Sequence, residues 1–137
     1  MTQQNKNLDL ALELYRAVDA QDFERAHELV SARFQACMGG KPLDFGSWRA
    51  MGQMFMTAFP DGRHVFDLTE AAGDYVLLHG YFTGTHTQEF HGIPATGRAI
   101  KISMTMIDKI IDGKLVEHYG DLDSAGLMQQ LMQQGAA

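Results

Sequence analysis

With 137 residues, 45% of them hydrophobic and 20% charged, the chain has the size and balance of one domain, spanning 1–137, with a full core. Its net charge of −6 and its lack of any Lys/Arg block exclude the basic stripe that a nucleic-acid partner requires. The single cysteine, Cys37, excludes an internal disulfide, the start MTQQNKNLDL is polar, and no apolar run reaches membrane-spanning length, so a cytoplasmic protein without membrane contact is expected.

Along the chain, Leu8, Ala11, Leu14, Tyr15 and Val18 recur at helical spacing and predict a first helix. Asp19 to Gln21 makes a polar break. Phe23, Ala26, His27, Val30 and Phe34 form the stripe of a second helix. CMGGKPLD reads as a loop by its Gly-Gly and Lys-Pro content. Asp44 or Ser47 can cap a third helix that carries Trp48, Met51, Phe55 and Ala58, and Pro60 stops it. The period then changes to two. His64, Phe66 and Leu68 alternate with Val65, Asp67 and Thr69, and Ala72-Gly73-Asp74 forms a turn. Tyr75–Thr85 and Ala99–Ile110 are strands separated by the loop EFHGIPATGR. Asp112-Gly113 turns the chain into Leu115–Gly120, and a short helix with Leu127, Met128 and Leu131 closes it. Helices first and a strand meander afterwards predict an α+β domain, a curved antiparallel sheet with helices on one face.

The stretch VEHYGDLD concentrates a histidine and three carboxylates, Glu117, Asp121 and Asp123. No phosphate-binding glycine loop, zinc-protease helix or serine-nucleophile elbow accompanies it. The other histidines lack metal-ligand spacing. His86 and His91 flank an irregular loop, where bonding of His86 to loop backbone is the simpler expectation, and no metal is predicted. Met104 and Met106 share one strand face, which suits either core packing or an adaptable pocket wall. His79 and Tyr81 share a face of the neighbouring strand, turned either to water or to a pocket.

Five segments together resemble the SnoaL-like polyketide cyclase family: Ala58-Phe59-Pro60-Asp61, Gly84-Thr85-His86-Thr87, Gly92-Ile93-Pro94-Ala95-Thr96-Gly97-Arg98, Asp112-Gly113-Lys114 and Leu127-Met128-Gln129-Gln130-Leu131. Their order and spacing carry the resemblance from about Leu8 to Gln134. It implies an NTF2-like cone, in which the concave face of the sheet is roofed by helices and encloses a pocket. It also implies homodimers or higher homo-oligomers through the sheet, and cofactor-free ring closure by aldol condensation. Such chemistry needs a base for a proton alpha to a carbonyl and an acid for the resulting alkoxide.

Counted from Asp112-Gly113-Lys114, the family's acid/base aspartate falls at Gly120 and its helper histidine at Met106. Hairpin register decides what replaces them. A two-residue loop puts Met106 on one face with Tyr119 and Asp121. A three-residue loop, Ile111-Asp112-Gly113, puts it with His118 and Gly120, and the need for a shared catalytic face favours this register. His118 is then the expected central acid/base group. Asp121 is a second catalytic candidate if a bulge re-aims it, and Asp123 is expected to cap the last helix. Met104, Met106, Val116, Gly120, His79, Tyr81 and Trp48 are the candidate ligand-binding residues. The predicted partner is an apolar cyclic or polyketide-like small molecule, transformed without a cofactor by aldol cyclisation, isomerisation or dehydration. The alternatives are a non-catalytic binding protein or an epoxide-hydrolase-like enzyme, the latter ranked lower for want of inward carboxylates.

Overall fold

The computed structural model describes residues 2–132. Its elements run α1 (Gln3–Asp19), α2 (Phe23–Leu29), β1 (Val30–Met38), β2 (Lys41–Leu43), α3 (Phe45–Ala58), β3 (Arg63–Ala72), β4 (Tyr75–Thr85), β5 (Ala99–Ile111), β6 (Lys114–Leu122) and α4 (Ser124–Met132). The fold is the expected α+β arrangement, with one six-stranded sheet in the order β2-β1-β6-β5-β4-β3. It is not wholly antiparallel, because β1 runs parallel to β6. None of the described helices is long and apolar enough to cross a membrane.

Each helix start has a local cause. Thr2, Asp22, Asp44 and Asp123 accept hydrogen bonds from Asn5, Arg25, Ser47 and Gly126 backbone N–H groups at 3.1, 3.1, 2.8 and 2.9 Å. α1 buries Ala11, Leu14, Tyr15 and Val18 against β3 and β4, while α3 lies over β1 and β2. The core therefore sits between the helices and one face of the sheet.

The second helix is shorter than its apolar stripe predicts. It ends at Leu29, and Val30 and Phe34 belong to β1. A spacing of four satisfies both helical and strand periodicity, so those two positions could not discriminate. The strand wins because Gln35 to Met38 pair with Glu117 to Gly120 of β6. In the predicted loop, Gly39 and Gly40 take positive φ (58° and 84°), which lets Lys41–Leu43 fold back on β1 as a short strand.

Two irregularities bend the sheet. Near Asp67 a bulge shifts β3 against β4, and Gly80 lies opposite Phe66. A Cβ on Gly80 would collide with the Val65 carbonyl, so only glycine permits this approach. The second irregularity corrects the expected hairpin. Ile111 pairs with Lys114 around a two-residue loop, with Asp112 and Gly113 at φ 52° and 75°. Val116 is then left unpaired, since Ile110 pairs with Leu115 and Lys109 with Glu117. That bulge moves the register by one, so Met106 faces Gly120 and Asp108 faces His118.

Candidate functional site

A chamber of about 60 Å³ lies between the helices and the face of the sheet that they cover. α1 contributes Tyr15 and Val18, and α3 contributes Trp48, Met51, Gly52, Phe55 and Met56. From the sheet come Met38, His64, Phe82, Met106, His118 and Leu122. A wider recess of about 310 Å³ adjoins it and shares Met38, Met51, Phe55 and Leu122. Those four side chains border both spaces, and Phe90, His91, Asp121, Ser124 and Met128 line the recess. The inner chamber holds little more than a small ring. Chamber and recess together fall in the roughly 300–1,000 Å³ range of small-molecule pockets.

His118 forms the polar floor. Its Nδ1 lies 2.6 Å from Asp108 Oδ1, and both side chains are essentially inaccessible to water, at 1% and 0%. Tyr15 donates its hydroxyl to the other carboxylate oxygen, Oδ2, at 2.7 Å. The Tyr15 oxygen is also 3.3 Å from His118 Nδ1, the longer of its two contacts. Burial, followed by the charge of Asp108 and the hydrogen bond to it, raises the Tyr15 pKa well above the usual tyrosine value. Tyr15 therefore stays a donor. An ionised Asp108 accepts only, so the His118 proton sits on Nδ1 and the Nε2 lone pair is free. No protein group among the described residues bonds Nε2, and Trp48 packs edge-on against the ring at 5.7 Å.

Gly120 lies beside that nitrogen. A Cβ added there would sit 3.0 Å from Nε2 and 2.5 Å from Met38 Sδ. The Met38 thioether thus occupies the space that a larger residue would need.

A second imidazole lines the chamber from β3. His64 Nδ1 is 2.5 Å from Asp19 Oδ1, and Asp19 Oδ2 accepts the His64 backbone N–H at 3.0 Å. Asp19 ends α1, one turn beyond Tyr15, so a single helix supplies partners to both histidines.

Of the residues predicted from sequence, His118, Met106 and Trp48 line the inner chamber, and Gly120 lines the outer recess. Asp121 is exposed on β6 opposite Thr105 and reaches only the rim of the recess. Met104 is buried in the core at 1% exposure but outside the chamber lining. Val116 is the bulge residue, and Leu115 takes the inward position instead. His79 and Tyr81 are on the outer face, where His79 bonds Asp67 at 3.0 Å and Lys101 lies over the Tyr81 ring at 4.3 Å. The inward face of β4 belongs to Val76, Leu78 and Phe82.

Sequence reasoning missed Asp108, Tyr15, His64, Asp19 and Met38 as site residues. Asp108 did carry a signal. It continues the inward series Ile100, Ile102, Met104, Met106, and a carboxylate on the apolar side of a strand needs a buried partner. Asp19 looked like a helix-ending polar residue, and only tertiary contact reveals its partner.

The loop segments that carry the family resemblance are scaffold. Asp61 accepts the Thr85 backbone N–H at 2.7 Å and its hydroxyl at 2.8 Å. His86 is fully buried, and its Nδ1 accepts from the Thr96 backbone N–H at 3.2 Å, tying the two ends of the loop together. Among the described residues, no cluster of three or more metal-ligating side chains occurs.

A family model for SnoaL-like polyketide cyclases matches residues 9–131. No functionally curated protein matches the chain. Among solved structures, IdmH of Streptomyces antibioticus, a candidate polyketide cyclase, is 28% identical with TM-score 0.84, covering 91% of this chain and 97% of its own. AclR of Streptomyces galilaeus, a candidate hydroxylase, is 23% identical with TM-score 0.87, covering 93% and 96%. A candidate polyketide cyclase of Acidithiobacillus ferrooxidans is 24% identical with TM-score 0.80, covering 98% and 100%. The last two likenesses establish the fold.

Proposed function

Because the chain belongs to the SnoaL-like polyketide cyclase family, we propose that it binds an apolar cyclic or polyketide-like ketone and catalyses cofactor-free proton transfer with His118 as the base. The observation that carries this is the sealed Tyr15–Asp108–His118 chain beneath an apolar chamber. Asp108 holds the imidazole in the tautomer whose Nε2 can take a proton, and it stabilises the imidazolium that results. The ring stands next to Gly120, the position where the family's aspartate was expected. An imidazole oriented by a neighbouring carboxylate thus takes over a task otherwise given to a carboxylate. Met106 contributes wall rather than a helper group. A ligand with one ring in the chamber and the remainder in the recess fits the two volumes.

A base without a known substrate can be assayed with 5-nitrobenzisoxazole. Its ring opening needs only removal of the C3 proton and releases a coloured phenolate. The protein is expected to accelerate this, and His118→Ala to lose on the order of 10²–10⁴-fold of that acceleration. Equal rates for parent and variant would remove His118 as the base. The second reading, a binding protein without turnover, draws on Met38, whose Sδ fills the space that a side chain at position 120 would need. Tight binding of the benzisoxazole with no ring opening would favour it.

A second copy of this chain is the proposed partner. Val65, Leu68, Ile107 and Tyr119 are 49%, 51%, 39% and 43% exposed. They share the face of the sheet away from the helices, an apolar surface suited to burial between subunits. Light scattering should give twice the chain mass or more, and a monomer at all concentrations would rule this out.

A further inference from the structure

The base mechanism leaves one histidine–aspartate pair of the chamber unused. Asp19 Oδ1 and Oδ2 hold the His64 ring at 2.5 Å and the His64 main chain at 3.0 Å. Ring and backbone are therefore fixed by one carboxylate from the end of α1. His64 enters from β3 and His118 from β6, with β4 and β5 between their strands. Both imidazoles nonetheless touch the same Tyr15 ring, at centroid distances of 5.3 and 6.2 Å. Two oriented imidazoles thus line one small chamber from separate walls.

Their surroundings differ. The side chains of His118 and Asp108 are 1% and 0% exposed, whereas those of His64 and Asp19 are 12% and 21% exposed. Water at the second pair can solvate a charged ring and reload it with a proton. Tyr15 also draws on the Asp108 carboxylate and has no hydrogen bond to Asp19. The dry pair holds its imidazole away from competing water, and the wetter pair can exchange a proton with solvent.

We propose that His64 is the proton donor of this chamber, held in place by Asp19, and that the ligand is a ring compound whose oxygen gains negative charge as a C–H proton leaves. This rests on the reading of His118 as base. In an enolisation, the C–H bond breaks toward His118 Nε2 and its electron pair forms the new C=C bond. The carbonyl π pair withdraws to oxygen, which takes the proton from His64 Nε2. His118 ends protonated and His64 neutral. Return of the proton from His118 to carbon as the enol O–H proton goes back to His64, or exchange of both rings with water, resets the pair. Asp19 is a positioning residue, since it acts through His64.

Two benzisoxazoles separate donor from base. Both need the same C3 proton removed, after which the C–H pair forms the nitrile, the N–O bond breaks and oxygen departs as phenolate. The unsubstituted compound releases a more basic oxygen than the 5-nitro compound, so only it gains much from a proton donor. His64→Gln should slow ring opening of benzisoxazole on the order of tenfold or more, and that of 5-nitrobenzisoxazole less than about twofold. Asp19→Asn should show the same selectivity, with melting curves confirming that both variants fold. Equal slowing of the two compounds would mean a structural role and would overturn the donor assignment while leaving the base intact. Absence of ring opening in the parent, or its persistence in His118→Ala, would overturn the base reading and the donor assignment with it.

Discussion

The two ends of the chamber use the same pair of residue types and differ in how the pair is assembled. Asp108 and His118 are direct cross-strand neighbours in the interior of the sheet, so the backbone ladder itself sets their distance. Asp19 and His64 join the end of a helix to β3, an edge strand. The first pair is dry and rigid, and the second is reached by water and depends on how α1 docks. A fully buried hydrogen-bonded pair gives strong orientation at a heavy cost if one member is lost, whereas a partly exposed pair tolerates loss better.

Removing each aspartate tests that difference most directly. Asp108→Ala leaves a buried imidazole and a buried hydroxyl without their acceptor, and is expected to cost about 2–5 kcal/mol in urea unfolding. Asp19→Ala removes an acceptor from one ring and one backbone N–H at a wetter place, for about 1–2 kcal/mol. Equal losses in the two unfolding curves would erase the distinction between dry and wet ends.

A smaller effect is expected in alkali. The folded-state pKa of Tyr15 lies well above its unfolded value of 10.0. Above about pH 10 the unfolded chain loses a proton that the folded chain keeps, so stability falls as pH rises. Tyr15 should add a slope approaching about 1.4 kcal/mol per pH unit there. Tyr15→Phe should lack that increment. Parallel pH curves for parent and variant would show that Tyr15 is not held protonated by its buried contact with Asp108.

The hairpin of β5 and β6 shows why the site was only half legible. The expected facing of Met106, His118 and Gly120 is present, but by a different route. The loop has two residues, and the bulge at Val116 supplies the missing step. Parity counted through that bulge put Val116 inward, where Leu115 stands. The same alternation, applied to β5, would have exposed Asp108 as an inward carboxylate. His79 and Tyr81 could not be assigned a face from their own strand, because the polar tips are equally compatible with water. The family-like segments were the most recognisable in the chain, yet Asp61, Thr85, His86 and Thr96 serve to pin loops. Legibility there came from rigid turn and loop chemistry, which constrains residue type at fixed spacing.

Local chemistry determined the caps at Asp44 and Asp123, the turn at Asp112-Gly113, the alternation of β4 and β5 and the α+β order. Each depends on residues within a few positions of one another, so the sequence displays it directly. Tertiary structure alone decided the ends of the chamber. Tyr15 and Asp108 are 93 positions apart, and Asp19 and His64 are 45 apart. No periodicity connects such residues; the docking of α1 onto a bent sheet brings them together and decides which imidazole stays dry.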